Sequence, residues 1–158
     1  MNTKSPVRTA VVADLAYCAT IINDYIDETD WLPRPFPRDE MLGHFERGFD
    51  TDRKMSVVEH EGEIVGYLSV EIRQPPQLPF VHALYLKFGY RGQGFGKALL
   101  DHAKTELKSG FELTFWEPNQ AARAFYLREG LVEVPGGRDA ETDDGVPTIL
   151  MRWVGGLN

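Results

Sequence analysis

Tyr90 to Leu100 reads YRGQGFGKALL, with glycines at 92, 94 and 96 bracketed by Arg91 and Lys97. A glycine inside a helix costs about 1 kcal/mol relative to alanine. Here the glycines run straight into a helical pattern, in which Phe95, Leu99, Ala103 and Leu107 recur every four residues. A strand-like run, Phe80 to Leu86, comes before them. The segment predicts a strand, a tight turn and a helix to about Ser109, with a turn shaped for close approach rather than for helix stability. Free backbone N–H groups at a helix N-terminus form an anion site, and glycines let a pyrophosphate come near them.

The spacing disfavours two nucleotide loops. A dinucleotide fingerprint needs a third glycine where Lys97 stands, and a P-loop needs a glycine at Arg91 and a hydroxyl residue at Ala98. What is left is R-x-x-G-x-G on Arg91, Gly94 and Gly96, with cations at its rim.

Around this unit the pattern alternates between strand and helix. Val7 to Val12 reads as a strand, and Asp14 as the N-cap of a helix to about Ile26, with Leu15, Cys18, Ile22 and Ile26 on one face. The irregular loop DETDWLPRPFPRDE leads to a helix over Arg38 to Gly48. Met55 to Glu59 and Ile64 to Ile72 form an expected hairpin around Glu61 and Gly62, with Ile64, Gly66, Leu68, Val70 and Ile72 sharing a face. Phe111 to Trp116 is a strand, Asn119 to Glu129 a helix, Leu131 to Val134 a strand and Thr148 to Trp153 the last strand. The order is β-α-α-β-β-β-α-β-α-β-β, an α/β fold with βα crossovers at its centre. With 158 residues and no linker-like stretch, one domain over 1–158 is expected.

Composition narrows the function classes. A net charge of −7 argues against a general nucleic-acid or anionic-membrane binder. No apolar run approaches the ~20 residues of a membrane span, and the N-terminus lacks the apolar core of a secretory signal. One cysteine, Cys18, excludes an internal disulfide framework, so a cytoplasmic setting is expected. His44, His60 and His102 show no paired ligand spacing, and no metal site is expected.

A second motif follows about 25 residues after the glycines: Asn119, Ala122, Phe125, Tyr126 and Gly130 fit N-x-x-A-x-x-F-Y-x-x-x-G. Together, and in this order, the two blocks closely resemble those of the GNAT superfamily of N-acetyltransferases, and the element order matches that fold from Val7 to Trp153. Two positions depart from the family: Phe88 stands where many members have proline, and Gly130-Leu131 replaces a frequent Gly-Phe.

The resemblance implies a mixed central sheet of about seven strands, splayed between the fourth and fifth, with acetyl-CoA in the gap. It implies that main-chain groups of Leu84, Tyr85, Leu86 and Lys87 hold the pantetheine arm. The loop of Arg91, Gly92, Gln93, Gly94, Phe95, Gly96 and Lys97 would take the pyrophosphate. Asn119 matches a position that bonds the arm, although an asparagine there is equally an N-cap. Tyr126 matches the family's general acid, which protonates the departing thiolate.

Acyl transfer also needs a deprotonated amine, because an alkyl ammonium has a pKa of about 10, and a backbone N–H near Leu86 for the oxyanion. His82, on the central strand, is the first candidate base, with Glu71, Glu117, Asp24 and Glu28 as rivals through water. In this fold the loop after the first helix walls the acceptor, which points to Trp31, Arg34 and Phe36, with Arg34 suited to a carboxylate. The expected activity is acetyl transfer to the primary amine of a small molecule by direct attack. Protein lysine or N-terminal acetylation, and a non-catalytic acyl-CoA sensor, are the alternatives. Dimers are frequent in the superfamily, so a homodimer is among the expected assemblies.

Overall fold

The structure is a computed structural model that describes residues 6–49 and 51–155; the two ends of the expected 1–158 domain lie outside them. Among these described residues seven strands build one sheet: β1 (Val7–Thr9), β2 (Arg53–His60), β3 (Glu63–Glu71), β4 (Phe80–Leu86), β5 (Phe111–Trp116), β6 (Val132–Asp139) and β7 (Thr148–Trp153). Four helices join them: α1 (Leu15–Asp27), α2 (Met41–Gly48), α3 (Phe95–Glu106) and α4 (Gln120–Arg128). The spatial order is β1-β2-β3-β4-β5-β7-β6. Every neighbouring pair is antiparallel except β4 and β5, which are parallel.

Helices cover both faces. Leu15, Cys18, Ile22 and Ile26 of α1 and Met41 of α2 pack with Val57 and Tyr67 on one side. Leu99, Leu100 and Ala103 of α3 and Tyr126 of α4 pack with Leu68, Val70 and Leu113 on the other. The two helical stripes read from the sequence are therefore the two lids of one sheet.

Several boundaries differ from expectation. The first strand stops at Thr9, and Val12–Asp14 is a 3-10 turn. Asp14 makes no side-chain cap to α1; its carboxylate instead accepts from Val11 N–H at 2.7 Å and from Arg8 at 2.8 and 3.0 Å. β6 runs on through the glycine pair to Asp139, because a bulge between Glu133 and Arg138 absorbs Pro135 to Gly137.

Two further bulges change which face residues occupy. Val58 faces Gly66 and Glu59 faces Ile64, so Val65 is an extra residue. Alternation resets there: Val65 joins Leu68 and Val70, while Ile64 moves to the opposite face with Tyr67. In β4, Ala83 faces Ser69 and Val81 faces Val70, which leaves His82 without a partner across the ladder.

β4 and β5 pair only at Phe80–Glu112 and Val81–Leu113. Beyond Val81 the strands part, and the sheet opens into a wedge.

Candidate active site

The wedge exposes main chain. Lys87 donates its N–H to Val65 O at 2.7 Å, so Lys87, Tyr85 and Ala83 bond toward β3. By antiparallel alternation the N–H and C=O groups of Leu84 and Leu86 point the other way, into the space β5 has left. A groove of about 900 Å³ fills that space, lined by Leu84, Tyr85, Leu86, Asn119 and Tyr126, and it runs to Arg91, Gly92, Gly94, Gly96 and Lys97.

The glycine loop ends the groove. Gly92 and Gly94 have φ of 74° and 91°, the left-handed region that side chains with a Cβ avoid. This backbone starts α3 abruptly: Ala98 N–H is the first to bond back, to Gly94 O at 3.0 Å. Among the described residues the amides of Gln93 to Lys97 have no hydrogen-bond partner, which leaves a nest of donors at the positive end of a helix of 12 residues.

Charge around the loop is uneven. Lys97 is partly neutralised by Asp101 at 2.9 Å and Glu129 at 3.5 Å. Arg91 has no carboxylate partner among the described residues and lies over the Tyr25 ring, 5.5 Å from its centroid. Arg128, which no sequence motif marks, lines the same groove and lies over Phe125 at 5.8 Å. Two guanidinium groups free of acidic partners thus flank a set of unpaired amides. The residues present suit a ligand with a diphosphate at one end and an extended amide-bearing arm along β4.

Of the main chain expected to hold the arm, that of Tyr85 and Lys87 bonds β3 instead, and the side chains of Lys87, Gln93 and Phe95, whose expected contacts are through main chain, are engaged within the protein. The Lys87 ammonium pairs with Glu63. Gln93 Nε2 donates to Gly89 O at 2.9 Å, and Phe95 packs against His60 and Tyr90. Asn119 caps α4 by accepting from Ala122 N–H at 3.1 Å, and its Nδ2 donates to Tyr25 Oη at 3.0 Å. One of its two amide hydrogens remains for a ligand.

Tyr126 sits in the wedge, 8% exposed, on the inner face of α4. Its hydroxyl has no hydrogen-bond partner among the described residues, and burial followed by the nearby Tyr25 holds its pKa well above the ordinary phenol value. It stays protonated throughout the working range and has a free O–H to give.

His82 is re-aimed by its bulge toward the α1–α2 face, where its Nε2 lies 2.5 Å from Glu71 Oε1. Burial lowers its pKa and Glu71 partly offsets this. Glu71 is itself held below the usual carboxylate range by His82 and Arg73, so it accepts the bond. Nε2 therefore carries the hydrogen, and Nδ1 keeps the lone pair. Of the rival bases, Glu117 pairs with Arg138 at 2.7 Å and Asp24 with Arg38 at 2.7 Å, whereas Glu28 borders the groove.

A second cavity of about 640 Å³ lies between α1, α2 and the sheet, with Phe36, Arg34, Phe45 and Tyr67 in its walls. It shares His82, Ala83, Tyr85 and Trp116 with the groove, so the two spaces meet at His82. Trp31 borders the groove and contacts Trp116 edge-on at 6.0 Å. Arg34 lines the second cavity but is heavily engaged. It pairs with Asp27 at 2.6 Å and donates to Asn23 Oδ1 at 2.7 Å. The aromatic junction of Tyr25, Tyr85 and Trp116 was not singled out from sequence, because no motif marks it.

Among the described residues no group of three or more His, Cys, Asp or Glu side chains could hold a metal, and no helix is long and apolar enough to cross a membrane.

Comparison with known proteins agrees with this geometry. No curated protein matches the chain significantly. Solved structures match over nearly the whole length. A ribosomal-protein-alanine N-acetyltransferase of Brucella melitensis is 22% identical, with 94% of this chain and 98% of that one covered and a TM-score of 0.72. A phosphinothricin acetyltransferase of Sinorhizobium meliloti, solved in complex with acetyl-CoA, is 20% identical over 94% and 88% of the chains, with a TM-score of 0.73. At these identities the likeness shows the fold, a seven-stranded mixed sheet as expected from the sequence. Residues 19–131, well over half of the chain, match the Acetyltransferase (GNAT) family. The chain belongs to the GNAT acetyltransferases, whose acetyl donor is acetyl-CoA.

Proposed function

We propose that this single-domain protein is an N-acetyltransferase that moves the acetyl group of acetyl-CoA directly to the primary amine of a small molecule. The observation that carries the reading is the meeting of two cavities at His82, one suited to acyl-CoA and one walled by aromatic and apolar side chains. When bound, acetyl-CoA supplies an acetyl thioester, an acyl group already activated for attack.

The chain's own residues supply the rest. Arg91, Arg128 and the loop amides take the diphosphate, and the outward main chain of Leu84 and Leu86 pairs with the arm as a peptide pairs with a sheet edge. An outward N–H there donates to the thioester oxygen as charge develops on it. His82 Nδ1 takes a proton from the incoming ammonium, and Glu71 stabilises the imidazolium through Nε2. Tyr126 Oη donates its proton to the departing sulfur and regains one from the attacking nitrogen, which sheds its second proton as the amide forms.

Direct transfer is supported by the absence of a competent thiol. Cys18, the only cysteine, is 0% exposed, and burial pushes its pKa up to about 12. The same buried thiol suits a reducing, cytoplasmic setting. A free acid at Tyr126 supports an enzyme over a sensor, since acyl-CoA binding alone does not need one.

Release of free thiol from acetyl-CoA, followed with amino acids, polyamines, aminoglycosides and lysine peptides, tests the reading. The expectation is turnover with one class of small amine. Turnover with peptides alone would overturn the small-molecule assignment.

A further inference from the structure

The second cavity holds a cation that the family motifs do not mention. Arg53 opens β2 and lines this cavity together with His82. It has no ion pair or hydrogen bond among the described residues, although Glu71 stands opposite it on β3: Glu71 is already taken by His82 and Arg73. Its charge is felt at both cavity histidines, His44 and His82, and helps to lower their pKa values. An unpaired guanidinium in the wall of a ligand-sized cavity is suited to an anion.

A second observation points the same way. Ser69 lines this cavity from β3 at 4% exposure, and its hydroxyl has no hydrogen-bond partner among the described residues. Buried hydroxyls are normally satisfied. Among the described residues no side-chain polar atom is both fully enclosed and unpaired, so this hydroxyl keeps some accessible surface, and Ser69 is part of the cavity wall. Ser69 follows Arg53 in register across the sheet, since Met55 faces Ser69 and Arg53 faces Glu71.

The cavity also has acidic neighbours. Asp143 and Asp144 border the cavity, and Asp144 is held in place by Trp116 Nε1 at 3.3 Å and Val146 N–H at 2.9 Å. Phe36, Phe45 and Tyr67 give the cavity an apolar wall. A simple amine leaves Arg53 unmatched, and a simple acid has no amine to present to His82.

Resting on the function proposed above, we infer that the acceptor is a zwitterionic amino acid with an apolar or aromatic side chain. Its carboxylate is held by Arg53 and Ser69, its side chain lies among Phe36, Phe45 and Tyr67, and its amine is presented to His82. This moves the carboxylate contact from Arg34, which its own pairs with Asp27 and Asn23 commit to the loop, to Arg53.

The test compares matched acceptors, phenylalanine with 2-phenylethylamine and leucine with 3-methylbutylamine, by thiol release from acetyl-CoA. In the wild type kcat/KM favours the amino acid of each pair. In Arg53→Gln the acid-to-amine ratio falls by about 10- to 150-fold, the range for losing a hydrogen-bonded charge partner. Ser69→Ala lowers the same ratio by a smaller factor, and Arg53→Lys restores part of it. An unchanged melting temperature in each variant shows that the fold is intact. A wild type that uses both members equally, or prefers the decarboxylated one, overturns the acceptor class and leaves the acetyltransferase reading standing. A ratio unmoved by both Arg53→Gln and Ser69→Ala overturns the site. No thiol release with any amine, from protein that still binds acetyl-CoA, overturns both readings together.

Discussion

Replacing Tyr126 by phenylalanine removes one oxygen from the wedge and nothing else. The ring packs beside Phe125, with centroids 5.3 Å apart, and phenylalanine keeps that packing. The hydroxyl has no hydrogen-bond partner among the described residues, so the net 0.5–1.5 kcal/mol of an ordinary hydrogen bond (about that size) is not at stake. Stability should therefore change by less than about 0.5 kcal/mol, or roughly 2 °C in melting temperature for a chain of this size. Catalysis should change far more. A positioned general acid contributes about 10²- to 10⁴-fold, which is about 3 to 5 kcal/mol in the barrier. The assay is kcat from thiol release under saturating acetyl-CoA, run beside thermal unfolding of the same preparation. The expected result is a loss of about 100-fold or more in kcat with an unmoved melting temperature. Full turnover in the variant would refute the acid role, and a large drop in melting temperature would show that the hydroxyl has a structural partner.

Two other expectations follow from the geometry. Gly94→Val forces a β-branched residue into a φ of 91° at the start of α3 and should weaken acetyl-CoA binding at least about tenfold by calorimetry; unchanged affinity would refute the anion-binding loop. If His82 is the base, it must be neutral to act, so kcat/KM falls as pH drops through its pKa, which burial places below the ordinary value of about 6.5. Glu71→Gln removes the contact that raises that pKa and should move the acidic limb to lower pH, while His82→Ala should flatten it; a limb that ignores both substitutions would eliminate this pair.

The parts of the fold that were legible in the sequence are those with local causes. Helical stripes such as Leu99 and Ala103 bury where their period says they must, and the glycine loop announces itself because Gly92 and Gly94 adopt a backbone that other residues avoid. The bulges were not legible. Whether Val65 or His82 is the extra residue depends on the strand opposite, and a single strand carries no signal of its register. Charge pairing was hidden for the same reason. Arg34 and Arg53 look alike in sequence, but Asp27 lies within reach of the first and the acid opposite the second is already engaged. The motif residues of the site could be named early; the acceptor cavity could not, because α1, α2, β2, β3 and the β6–β7 loop meet only in the folded chain.

The central claim is that acetyl passes directly from acetyl-CoA to an amine at His82. The most direct test is a rapid-mixing measurement of thiol and amide together, first without and then with an accepted amine. Direct transfer gives no thiol burst on mixing with acetyl-CoA alone, followed by thiol and N-acetyl product in equal amounts once the amine is added. A burst equal to the protein concentration in the absence of amine would reveal an acyl-enzyme and contradict it.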